Sequence, residues 1–76
     1  MLNLQYDRQA DILYINTRPP YQGQESEEIG DEVVARLNPD TGEVENLEVL
    51  FFSTRVQAGR PIELPIQVDL RLVKGL

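Results

Sequence analysis

Apolar and polar residues alternate near the start of the chain. Leu2, Leu4 and Tyr6 interleave with Asn3, Gln5 and Asp7, the period of two that a half-buried strand shows. Ile12-Leu13-Tyr14-Ile15 is a second, wholly apolar run, and five polar or small residues, Asp7 to Asp11, lie between the two. The stretch Tyr6–Ile15 therefore predicts an antiparallel hairpin. With Tyr6 opposite Ile12, Leu4 opposite Tyr14 and Leu2 opposite Asn16, residues Leu2, Leu4, Tyr6, Ile12 and Tyr14 form one apolar face. Leu13 and Ile15 then point the other way. A strand apolar on both sides is normally covered on both, so Ile12–Thr17 is predicted to be central.

Thr17–Gln24 carries tandem prolines, which cannot donate to a ladder and favour solvated, extended backbone. Pro19-Pro20-Tyr21 lacks the residue that separates prolines from tyrosine in proline-rich ligand motifs, so it reads as a loop. Glu25–Glu32 packs five acids into eight residues, a composition suited to a charged edge strand or a solvated loop. Val33–Leu37 and Glu43–Phe52 flank Asn38-Pro39-Asp40-Thr41-Gly42, whose Pro and Gly mark a turn, and together predict a second hairpin. Ser53–Arg60 suits a short helical turn capped by Ser53 and closed by Gly59. From Ile62 to Leu72 apolar residues fall at every second position. That favours a terminal strand with Pro65 at an edge or bulge. A short helix with Pro65 in its first turn and Ile66, Leu70 and Val73 on one face is the competing reading. The pattern as a whole predicts one mainly β domain spanning 1–76: an antiparallel meander of five or six strands. Its helical content is limited to a turn near 53–58 or a short C-terminal helix.

Composition narrows the function. Seventy-six residues with no cysteine and no histidine exclude disulfides, thiolate zinc sites and the commonest general base. A domain this small usually needs very regular packing or a partner subunit when staples are missing. A homo-oligomer, or a complex with a second protein, is therefore expected. The longest apolar runs are four residues, which predicts no membrane span and a soluble, cytoplasmic protein. Net charge is −6, against nucleic acid as a partner. The charge is uneven: residues 1–50 hold eleven acids and three bases, net −8, and residues 51–76 hold two acids and four bases, net +2. An acidic body with a basic tail is self-complementary between subunits, or steers a basic partner.

Candidate chemistry is sparse. Asp40-Thr41-Gly42 resembles the active-site triplet of aspartic proteases, where paired carboxylates share a proton. Apolar residues lead into that triplet in the protease family, whereas Asn38-Pro39 precede it here, as in a turn. No histidine exists to activate a serine or threonine, and no glycine-rich phosphate loop is present. These features predict no enzyme, no cofactor and no metal centre. The residues closest to a binding site are the acidic rim of Asp7, Asp11, Glu27, Glu28 and Asp31, placed near Tyr6 and Tyr14. A small ligand or divalent cation is the alternative function they support; a carboxylate-dependent hydrolase is a third.

Tyr6-Asp7, Ala10-Asp11 and Leu13-Tyr14-Ile15 resemble the opening of a family of small prokaryotic proteins catalogued as a domain of unknown function. Members carry Tyr-Asp, two spacers, Ala-Asp, one variable residue and Leu-Tyr-Ile. Ser26-Glu27-Glu28-Ile29, Val33-Val34, Asp40, Gly42 and Glu48-Val49-Leu50 extend the likeness over roughly residues 2–53. The chain departs from it at Asn46, where the family tends to carry Gly, and at Phe51, where it tends to carry Asp. The resemblance implies no established activity and permits an antitoxin-like role beside small toxin-like proteins in gene pairs. A non-catalytic interaction module is the function the residues favour.

Overall fold

The computed structural model describes residues 1–75. Five strands form one antiparallel sheet: β1 (Asn3–Asp7), β2 (Ile12–Asn16), β3 (Glu25–Gly30), β4 (Val33–Leu37) and β5 (Val44–Leu50), followed by one short helix, α1 (Phe52–Gln57). Their spatial order is β1-β2-β5-β4-β3. Two locally connected units, the β1–β2 hairpin and the β3-β4-β5 meander, thus meet where β2 pairs β5. Loop 17–24 carries the chain from β2 to the far edge. As expected, β2 is hydrogen-bonded on both sides, and the acid-rich β3 is an edge.

One face of the sheet holds the core. Val33, Ala35, Leu47 and Val49 are buried and pair across β4 and β5, Val33 with Val49 and Ala35 with Leu47. Leu13 and Ile15 continue that face on β2, opposite Val49 and Leu47. The other face carries Tyr14, Glu48 and Val34 in one row, and Glu48 is held there by Arg36 Nε at 2.7 Å.

The register of the first hairpin differs by one residue from the expectation. Asp7 pairs Ile12, Tyr6 pairs Leu13, Leu4 pairs Ile15 and Asn3 pairs Asn16. A one-residue shift moves every side chain to the other face, so Tyr6 and Leu4 lie with the core residues and Tyr14 lies on the opposite face. The cause is local. Asp7 belongs to β1 and its Oδ1 accepts from the backbone N–H of Gln9 at 3.0 Å and of Ala10 at 3.1 Å. The connection is therefore four residues, Arg8–Asp11, closed by Asp11 in the left-handed region at φ 58°. An Asp tolerates that conformation better than most residues.

After Leu50 the chain breaks sharply. Phe51 adopts φ 53°, ψ 43° and α1 begins behind it; Gly59, at φ 72°, follows the helix as expected. A bulky side chain in the left-handed region costs roughly 1–2 kcal/mol, and Phe51 is half exposed, so it recovers little by packing. We therefore expect Phe51→Asn to stabilise the fold by roughly 0.5–1 kcal/mol, read as a higher urea midpoint at unchanged m-value.

Residues 58–75 form neither strand nor helix, which corrects both readings of 61–73. Pro61 and Pro65 remove two donors, and the chain turns tightly at Pro65, where the Ile66 N–H reaches the Leu64 carbonyl at 2.8 Å. The Pro65 ring comes back to the sheet at Gly30, 3.6 Å from where a Cβ would stand. The alternation survives in burial: Ile62, Leu64 and Ile66 are half-buried while Pro61, Glu63 and Pro65 are exposed. Beyond Ile66 it has nothing beneath it, and Val68, Leu70 and Leu72 are exposed.

Candidate functional site

Two polar locks and an exposed apolar surface stand out among the described residues. The first lock sits at the turn end of β1 and β2. Asp11 Oδ1 accepts from the Tyr6 hydroxyl at 2.5 Å and the Ser53 N–H at 2.9 Å, and Oδ2 accepts from the Ser53 hydroxyl at 2.7 Å. The Asp11 carbonyl also receives the Phe52 N–H at 3.1 Å. Asp11 therefore satisfies free donors of the first turn of α1 from another element, since Phe51 contributes no side-chain cap. The expected roles are exchanged: Asp11 caps the helix, and Ser53 donates to it. Tyr6 and Phe52 pack tilted, with centroids 5.5 Å apart. Arg55 ties the helix down further, to the carbonyls of Leu50 and Asp31.

The second lock lies at the opposite end of the strands. Asn3, Asn16 and Asn46 occupy facing positions on β1, β2 and β5 and form a ladder of amides. Gln24 Nε2 donates to Asn46 Oδ1 at 2.7 Å, Asn46 Nδ2 to Asn16 Oδ1 at 2.9 Å, and Asn16 Nδ2 to Asn3 Oδ1 at 3.3 Å. Asn46, only 2 % exposed, also donates to the Arg18 carbonyl at 2.7 Å. The neighbouring Glu45 sits at a register shift between β4 and β5, an irregularity of the kind that re-aims a side chain. Its carboxylate accepts from the Tyr21 hydroxyl at 2.6 Å, from Gln24 at 3.1 Å and from Asn38 at 3.4 Å, with Arg18 Nη1 at 3.5 Å. The Arg18 guanidinium lies 4.4 Å from the centre of the Tyr21 ring. The proline-bearing loop is thus fastened to β5. Among the described residues no buried side-chain N or O lacks a partner.

These contacts shift the titration of the groups that make them. The Ser53 hydroxyl, and then the Tyr6 hydroxyl, hold the Asp11 carboxyl below its ordinary value of 3.8. The Tyr21 hydroxyl, with Gln24, Asn38 and Arg18, holds Glu45 below 4.5. Tyr6 and Tyr21 are raised above 10.0 by the carboxylates that accept from them. Groups depressed on folding favour their ionised form in the native state. Their contribution is complete above the unfolded values and disappears as pH falls through the folded ones. We expect urea stability to be flat near neutrality and to drop from about pH 4.5 downward. Asp11→Asn and Glu45→Gln should each weaken the fold at pH 7 and flatten that acid limb.

The five acidic residues singled out from sequence do not converge. Asp7 serves the turn of its own hairpin and Asp11 the helix. Asp31 lies in the β3–β4 turn, with its carbonyl bound by Arg55. Glu27 and Glu28 stand on β3, facing Ala35 and Val34 and hence opposite faces, across the sheet from β1. No group of three or more potential metal ligands comes together among the described residues. Asp40-Thr41-Gly42 is the β4–β5 turn, with Asn38 Oδ1 accepting from Asp40 and Thr41 N–H groups. Sequence reasoning missed Glu45, Asn16, Asn46, Tyr21 and Gln24. The available signal was an Asn in each of two predicted strands, a residue that strands disfavour.

The apolar surface has two parts. Leu4 and Tyr6 on β1, and Met1 and Leu2 just before it, are exposed, and β1 is an edge with one ladder side open. Val68, Leu70, Leu72 and Val73 are exposed on the segment after Ile66. No helix among the described residues is long and apolar enough to cross a membrane.

A five-stranded antiparallel sheet with one appended helix, pinned by an aspartate at one end and an amide ladder at the other, defines a small β domain. The chain belongs to the family described as a protein of unknown function (DUF2283), whose model matches residues 3–53, from the start of β1 to the serine that Asp11 holds. Comparison with curated proteins gave no match, and neither did comparison with solved structures.

Proposed function

We propose that the chain is a non-catalytic protein-interaction module that associates with a second copy of itself. The observation behind this reading is an imbalance. Four apolar residues are buried among the described residues, against eleven large apolar residues that are exposed. A single core of that size supplies little stability below 70–80 residues, and the cysteine-free composition offers no disulfide in compensation. Contiguous exposed apolar surface marks interaction sites. The absence of catalysis in the reading rests on how the reactive groups are used: the Ser53 hydroxyl is given to Asp11 and Asp40 stands in a turn. A basic protein docking on the β3 edge, where Glu25, Glu27 and Glu28 are exposed, is the second reading that a specific feature favours.

Sedimentation equilibrium of the intact chain is the test. A mass of twice the monomer at micromolar concentration is expected. A monomer throughout, up to the highest soluble concentration, overturns self-association.

A further inference from the structure

We infer that the segment Gln67–Val73 is an exchanged arm, which adds as a sixth strand to the β1 edge of a second copy. The inference rests on the self-association reading above and specifies its interface. Three observations converge on it.

The first is pattern. Val68, Leu70 and Leu72 alternate with Gln67, Asp69 and Arg71, the period of a strand with one apolar face. The segment nevertheless lies outside any ladder, with Leu70 81 % and Leu72 95 % exposed. Its apolar side chains form a set that lacks a surface.

The second is the receptor. Of the two edges, β3 is guarded by exposed Glu25, Glu27 and Glu28, the usual device against strand addition. The β1 edge carries no such guard. It exposes Leu4 and Tyr6 on the core face, beside Ile15 and Leu13 of β2. A strand laid there with Val68, Leu70 and Leu72 on that face extends the apolar surface by one strand, and its backbone satisfies the open ladder. The polar alternates then fall beside Gln5 and Asp7. Arg71, whose present partner is the exposed Asp69 at 2.8 Å, can pair with Asp7 instead. Lys74, just past the arm, leaves residues 67–75 at net +1 once Asp69 is set against Arg71, opposite in sign to the net −8 of residues 1–50.

The third is reach. Pro65 anchors the segment at Gly30, on β3, and β1 is the opposite edge. Four inter-strand spacings separate the edges, about 19 Å. Nine extended residues, 67–75, span at most about 30 Å. Crossing its own sheet would consume most of the arm before it could run along its own β1. A neighbouring copy imposes no such detour. Two copies that exchange arms use the same pair of surfaces twice and close into a two-fold dimer.

The absence of native cysteine makes the test clean. Chains carrying Val68→Cys, Leu70→Cys or Leu72→Cys are each mixed with a Leu4→Cys chain and mildly oxidised, with Glu27→Cys as the β3-edge control. We expect at least one arm position to cross-link to Leu4→Cys well above the control. We also expect the arm double variant Leu70→Glu/Leu72→Glu to keep its circular dichroism, because the arm lies outside every strand and helix, while its dimer dissociation constant rises at least tenfold. Cross-linking no better than the control, together with a native dissociation constant in the Glu variant, overturns the arm but leaves a dimer through another surface. A native chain that is monomeric throughout overturns the arm and self-association together.

Discussion

Replacing Asn46 with leucine should destabilise the fold by about 3 kcal/mol, although leucine is similar in size and far more apolar. Asn46 makes three side-chain hydrogen bonds at 2.7–2.9 Å in a site that water does not reach. Leucine would leave Asn16 Oδ1 and the Arg18 carbonyl without their donor and take from Gln24 Nε2 one of its two acceptors, and an orphaned buried polar group costs about 1–3 kcal/mol. The ladder has a second consequence. Asn3, Asn16 and Asn46 face one another only in the observed register; with Leu2 opposite Asn16, as the apolar pattern suggested, the outer rung is lost. Register, and with it the face on which Tyr6 lies, is set by amides as well as by apolar burial. Urea unfolding of Asn46→Leu checks the energy. A double-mutant cycle with Asn16→Ala checks the pairing, and a coupling energy near zero would separate the two residues.

Leu47→Ala should cost about 3 kcal/mol, within the range for buried leucines. Leu47 is nearly fully buried and sits between Ile15 on β2 and Ala35 on β4, at the seam that joins the hairpin to the meander. Ala35 cannot fill the space a shortened neighbour leaves. Total stability for a domain of this length is of order 4–11 kcal/mol at 0.05–0.15 kcal/mol per residue, so one truncation removes a large fraction. The measurement is the Tm by circular dichroism, expected to fall by roughly 10–20 °C. A fall of only a few degrees would mean that the seam is not the centre of the core.

Much of the architecture was legible because periodicity and turn chemistry agree. Both hairpins, the central place of β2, the acidic edge and the turn at Asn38–Gly42 follow from local patterns. The register of the first hairpin did not, because the apolar run Ile12–Ile15 fits either face and gives no preference. The decision came from Asp7 and from asparagines 30 residues apart in sequence. The last segment misled for a different reason. Its alternation is genuine, but a strand exists only where an edge accepts it, and the sequence does not say whose edge. Binding residues were read from charge density, which found carboxylates that the fold disperses. Glu45 and Asn46 draw their roles from a bulge and a loop closure that single-residue patterns do not encode. The two departures from the resembled family prove consequential in the structure: Asn46 is the hub of the ladder and Phe51 bears the left-handed turn.

Whether a second copy completes this small sheet is read directly from the dependence of thermal unfolding on protein concentration. Ligand-like coupling to a partner makes Tm rise with concentration. Tm is expected to rise by several degrees across a hundredfold range, and to lose that dependence in the Leu70→Glu/Leu72→Glu variant. A Tm that stays constant across that range, with a monomeric mass at every concentration, would contradict completion by a second copy.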